Sequence, residues 1–216
     1  MNSGNCIDII LCMDSLNHSI KITEPFDHWI FNEVFSDTTV KELAELDIEQ
    51  PKNQLHNGKR ETNNSTRFFL NKENCLKYPI LKSVVNIFQN RDNIIKLKNI
   101  SGSNLEEGKL RIEYTLDEGD FWLEPHLDIK EKLLTFLVYL ADGPGSDKWG
   151  TTLYNPDLTF HSQAPYRRNF GFMFVAGQDT WHGVPKQKFE GVRKNLIINY
   201  VTSDWQSVGE LAPKFD

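Results

Sequence analysis

Two different spacings of apolar residues divide the chain. Before about residue 105 the clearest signal is helical. Val40, Leu43, Ala44 and Leu46 fall on or near one face after a Ser36-Asp37 pair. This predicts a helix capped by Ser36 or Asp37 and running to about Asp47. Pro79, a favoured first helical residue, opens a second helix. In it Ile80, Leu81, Val84, Val85 and Phe88 recur at the spacing of a core-facing stripe. Ahead of the first helix, 20-IKITEPFDHWIFNEVFS-36 alternates enough for one or two short strands. Between the helices, 51-PKNQLHNGKRETNNSTR-67 is rich in Asn, Thr and Lys and reads as a loop. Loops of that length inside compact domains are often functional or mobile.

After about residue 105 the period changes to that of strands. KLRIEYT (109–115) alternates, and LLTFLVYL (133–140) is a continuous apolar run ending at ADGPGS. TTLYNPDLTFHSQ predicts a hairpin turning at Asn155-Pro156-Asp157, and NFGFMFVAG, TWHGVP and RKNLIINYVT complete the series. Short strands in close succession point to a β sandwich or barrel. The expected plan is one domain over 1–216. Strands, helices and the loop occupy about 1–104, a β core about 105–203, and a tail 204–216.

Composition narrows the function classes. The 216 residues suit one domain with a core of its own. A net charge of -6 gives no general basic field, so nucleic acid is not an expected partner. Cys6, Cys12 and Cys75 are odd in number and form no CxxC, which predicts neither a disulfide framework nor a zinc site. The N-terminal apolar run is short with no positive charge before it, so no signal peptide is expected. No stretch approaches the ~20 apolar residues of a spanning helix. A reduced, cytoplasmic protein is the expectation.

The candidate chemistry starts at 123-LEPHLDIK-130. In an extended chain, residues i and i+2 share a face, so His126 and Asp128 can reach one ion while Leu127 points away. His182, in TWHGVP, lies 56 positions on, far enough for several strands to return to the same mouth. Two imidazoles and one carboxylate make the facial triad of non-haem Fe(II) oxygenases. By itself an HxD pair is common, and a hydrogen-bonded surface or core pair is its commoner meaning. Arg193 changes the balance. It heads an otherwise apolar strand eleven positions after His182, in a chain with seven arginines and seventeen lysines. Arg193, Asn195, Ile197 and Asn199 share a face. An inward guanidinium needs an anionic partner, and a dicarboxylate ligand would fit its fork.

HxD, a distal His and an Arg one strand-length later resemble the Fe(II)- and 2-oxoglutarate-dependent dioxygenases, and among them the prolyl-4-hydroxylase-like branch. FDHWIFNEVFS leading into helices, and KLRIEYTLDEGDFWLEPHLD leading into the metal motif, add to the resemblance over about 20–203. It implies a double-stranded β-helix (jelly roll). It implies His126, Asp128 and His182 as iron ligands, and Arg193 as the partner of the distal carboxylate of 2-oxoglutarate. Asn195 stands where many members have Ser or Thr that help bind that carboxylate. Tyr114 matches a tyrosine that often hydrogen-bonds the cosubstrate. In some prolyl hydroxylases a second tyrosine on the strand after HxD also binds it; here Val138 takes that place, with Tyr139 beside it. In halogenating relatives the Asp is a small residue, so Asp128 implies hydroxylation. The products implied are succinate, CO2 and a hydroxylated peptidyl residue, such as proline, or small molecule, with O2 consumed.

Other residues have ordinary readings. His161 is expected on a strand surface, His28 and Trp29 as anchors of the N-terminal layer, and Trp181 as packing. The 52–67 segment could fold over substrate, with Arg60 and Arg67 meeting an acidic group; a solvated loop is the equal alternative. Two other function classes stay open: a cupin-like metal enzyme, which would usually offer HxH with further Glu and His, and a non-catalytic jelly-roll binding module.

Overall fold

The computed structural model describes residues 15–48, 57–59 and 67–215. Arg60 and most of the 52–67 segment lie outside the described residues. Among the described residues, eleven strands form two antiparallel sheets. In chain order they are β1 (Ile20–Ile22), β2 (His28–Phe31), β3 (Phe68–Phe69), β4 (Lys109–Gly119), β5 (Leu123–His126) and β6 (Lys132–Tyr139). After them come β7 (Thr152–Tyr154), β8 (Phe160–Gln163), β9 (Gly171–Phe174), β10 (His182–Val184) and β11 (Phe189–Val201). The larger sheet runs β1-β2-β9-β6-β11-β4-β3 and the smaller β5-β10-β7-β8. Consecutive strands alternate between the sheets from β4 to β6, and again from β9 to β11. The strand pattern predicted a β sandwich or barrel, and the arrangement found is the jelly roll that the resemblance implied. Three strands from the part before residue 105 also belong to the larger sheet.

Among the described residues, helices α1 (Asp37–Ala44), α2 (Lys72–Lys77), α3 (Pro79–Gln89) and α4 (Arg91–Ser101) cover one face of that sheet. Their ends follow local chemistry. Ser36 Oγ accepts from Thr39 N–H at 3.2 Å, capping α1 as expected. α1 stops at Ala44, short of Asp47. Asn71 caps α2, and Asn90 ends α3 and accepts from the N–H groups of Asp92 and Asn93 to start α4. Gly102 closes α4 at φ 75°, a left-handed position that suits glycine. The sequence pattern did not signal α2 or α4. α2 is short, and α4 carries only a narrow apolar row, Ile94, Leu97 and Ile100, of which Leu97 alone is fully buried.

Strand alternation sorts the larger sheet into two faces. Ile112, Tyr114, Phe136, Val138, Leu196 and Ile198 join Leu43, Leu81, Val84 and Phe88 in the core beneath the helices. A second core between the sheets holds Phe26, Leu137, Tyr139, Phe172, Phe174 and Val184. Among the described residues, no helix is long and apolar enough to cross a membrane.

Candidate metal and anion site

The inner face of the larger sheet is polar where it meets β5 and β10. On β4 the inward positions are Arg111, Glu113, Thr115 and Asp117, and all are buried. On β11 they are Arg193, Asn195, Ile197 and Asn199. A cavity of about 60 Å³ opens between the sheets. Its lining includes His126, Asp128 and His182 as well as Arg193, so the expected ligand set and the expected anion partner face one space.

Strand pairing brings the two histidines together. His126 ends β5, His182 begins β10, and the two residues sit opposite one another in the antiparallel register. Their ring centroids are 4.3 Å apart. Each offers one ligand atom, as does Asp128 just beyond β5, and the three atoms lie within 4.8 Å of one another. Gly183 allows this approach. A Cβ there would sit 2.7 Å from the Leu123 carbonyl oxygen and 3.0 Å from that of Glu124.

The imidazoles are held ready to act as ligands. His126 Nδ1 is 2.9 Å from the Glu124 carbonyl oxygen, and His182 Nδ1 is 2.8 Å from that of Thr180. A carbonyl only accepts, so both Nδ1 atoms carry the proton and both Nε2 atoms keep a lone pair for an ion. Burial, and next the neighbouring His182, push the His126 pKa down to about 3. His126 is therefore neutral at neutral pH and has no proton to lose on binding a metal. Lys132 Nζ donates to Asp128 Oδ1 and Thr135 Oγ1 to Oδ2, both at 2.7 Å. A carboxylate has about four lone-pair sites, so these two bonds orient it and leave capacity for an ion. The donor set therefore fits a hard or borderline divalent metal in an open octahedral site.

At the other end, Arg193 Nε donates to the Trp149 carbonyl oxygen at 2.6 Å, and Nη1 donates to Asp117 Oδ2 at 2.5 Å. Asn195 Nδ2 donates to Thr115 Oγ1 at 2.9 Å and lies 3.3 Å from Asp117 Oδ2. The Arg193 guanidinium is 5.9 Å from the ring centres of both Tyr139 and Tyr166. The Tyr166 hydroxyl is buried with no hydrogen-bond partner among the described residues. Three cations line the cavity, each matched to an acid: Arg67 to Glu113, Lys132 to Asp128 and Arg193 to Asp117.

Two expected placements differ. Tyr114 faces the helices, and its hydroxyl donates to the Leu43 carbonyl oxygen at 2.7 Å. It shares its face with Ile112 and Leu116 and does not reach the cavity side. On β6 the inner tyrosine is Tyr139, beside Arg193, while Val138 packs in the core under the helices. Asp117, Lys132, Thr135 and Tyr166 were not anticipated. The β4 alternation did hold a signal for Asp117, because charges at 111, 113 and 117 share one parity. His161 is exposed, with Nδ1 3.0 Å from Ser162 Oγ. His28 and Trp29 are buried in the N-terminal strand pair.

No protein-family model matches the chain, and no curated protein does. Solved structures share its fold. A prolyl hydroxylase from Trichoplax adhaerens, in complex with a hypoxia inducible factor oxygen degradation domain peptide fragment, superposes with a TM-score of 0.60. It is 13% identical, over 93% of this chain and 94% of that one. A Pseudomonas putida prolyl-4-hydroxylase gives 0.53 at 11% identity, over 90% and 93%. A non-haem alpha-ketoglutarate-dependent epimerase of nogalamycin biosynthesis gives 0.56 at 14% identity, over 97% of both chains. At these identities the likeness is one of fold.

Proposed function

We propose that this chain is an Fe(II)- and 2-oxoglutarate-dependent dioxygenase that hydroxylates a peptidyl residue, such as proline, or a small molecule. The observation that carries the reading is the sharing of one buried cavity by the His126–Asp128–His182 cluster and Arg193. Structures with this fold described as prolyl hydroxylases and as an alpha-ketoglutarate-dependent epimerase support it. A cupin-like site would call for further His or Glu ligands, and among the described residues the cluster holds only these three.

Each residue has a physical task in this reading. His126 and His182 would present Nε2 to iron, and Asp128 would present a carboxylate oxygen aimed by Lys132 and Thr135. Arg193 suits the distal carboxylate of 2-oxoglutarate. The bound iron and 2-oxoglutarate supply the oxidising chemistry that uses O2 and yields succinate, CO2 and hydroxylated product. Phe121, Leu123, Leu137 and Val184 give the same cavity an apolar wall. The lining's three cations and three carboxylates balance. A divalent ion and a dianion can therefore enter together without leaving net buried charge.

The test is an anaerobic Fe(II) titration with 2-oxoglutarate, read as a weak visible charge-transfer band. The band should appear in the folded protein and be lost in His126→Ala. Folded, iron-loaded protein with neither the band nor 2-oxoglutarate-dependent succinate release would falsify the reading. Succinate release across peptides and small molecules then separates the two substrate classes.

A further inference from the structure

Arg193 and Asp117 are directly opposite each other in the β11–β4 register. Both are buried, at 3% and 7% exposure. The guanidinium that should receive a ligand's carboxylate therefore already holds one from the chain itself, at 2.5 Å. Asn195, the expected second donor to the ligand, is also engaged within the chain, with Nδ2 2.9 Å from Thr115 Oγ1 and 3.3 Å from Asp117 Oδ2. Asp117 and Arg193 both line the cavity, so the acid faces the space where a ligand's carboxylate would meet the guanidinium.

We propose that Asp117 sets the cosubstrate affinity and selectivity of this cavity by competing with the ligand's distal carboxylate for Arg193. The inference rests on the function proposed above. A distal carboxylate must take the guanidinium's fork from Asp117 or share it against a like charge, and either weakens binding. A 2-oxo acid of the same length without that carboxylate makes no use of Arg193 and escapes the competition. The wild-type chain therefore discriminates only modestly between 2-oxoglutarate and 2-oxopentanoate.

The experiment is calorimetric titration of both acids into the full chain loaded with Mn(II), a redox-stable stand-in for iron. Asp117→Asn keeps the shape and a hydrogen-bond acceptor for Arg193 while removing the charge. It should tighten 2-oxoglutarate by about tenfold to hundredfold, the range of one charge-assisted hydrogen bond. Binding of 2-oxopentanoate should stay within about twofold, which also shows that the site remains folded. Adding Arg193→Gln should erase the gain, because the two residues act as one unit. Unchanged or weaker binding of 2-oxoglutarate to Asp117→Asn would mean that Asp117 only positions Arg193. That result overturns the proposal and leaves the dioxygenase reading standing. A wild-type preference for 2-oxoglutarate above about hundredfold also overturns it, without any variant. If neither acid binds wild type or variant, the dioxygenase reading fails and the proposal with it.

Discussion

Arg193→Met offers a measurement of the inner charge pair that needs no ligand. The substitution removes the donor at 2.5 Å from Asp117 and the one at 2.6 Å from the Trp149 carbonyl oxygen. The Asp117 side chain is 9% exposed, so little water replaces the lost partner. Its one remaining recorded hydrogen bond is from Asn195 at 3.3 Å. Breaking a buried pair from one side costs about 3–5 kcal/mol, because an uncompensated charge stays behind. With a urea slope of about 2–3 kcal/mol/M, the unfolding midpoint should fall by about 1–2 M. Removing both charges, in Asp117→Leu with Arg193→Met, should recover most of the loss, since apolar replacements of a whole buried pair are often neutral. Urea unfolding followed by circular dichroism, on wild type, both single variants and the double, closes the cycle. A single variant less than about 1 kcal/mol below wild type would refute the reasoning, as would a double variant no better than Arg193→Met.

Three further outcomes are expected. Thr135→Val keeps the shape but loses the 2.7 Å hydrogen bond to Asp128 Oδ2, and should weaken metal binding by about 10- to 100-fold, measured by Co(II) absorption titration. Gly183→Ala puts a Cβ 2.7 Å from a β5 carbonyl oxygen, so it should separate β10 from β5, lower the melting temperature and lose the metal together; unchanged Co(II) affinity would speak against strand pairing as the source of the site. Burial raises the Cys75 thiol to about 11, leaving about one thiolate in a thousand at pH 8. Peptide mapping after iodoacetamide at pH 8 should find Cys75 unmodified in folded protein and modified in urea. Because deprotonation is what burial opposes, any labelling of the folded protein should grow as pH rises toward 11.

Much of the fold could be read locally. Ser36 caps α1 through its own hydroxyl, and Pro79 opens α3 with the stripe that packs on β4 and β6. The strand segments after residue 105 fall where apolar runs and turn residues place them. α4 escaped because its apolar row, Ile94, Leu97 and Ile100, is narrow and interrupted by Lys and Asn, and the cap that starts it is a single Asn90. The placement of Tyr114 also shows how far alternation reaches. It sets Tyr114 with Ile112 and Leu116, and Glu113 with Thr115 and Asp117. Parity alone does not say which set faces the ligand. Burial beneath the helices claims the apolar set.

The sequence by itself determined which side chains share a face: His126 with Asp128 across one residue, and Arg193 with Asn195. Those relations need only the period of an extended chain. The tertiary structure decided everything that depends on a second strand. It alone set His126 opposite His182, chose Tyr139 over Val138 for the inner wall and placed Asp117 against Arg193. Register is fixed by how whole faces bury against helices and sheets, a global condition that no local spacing contains.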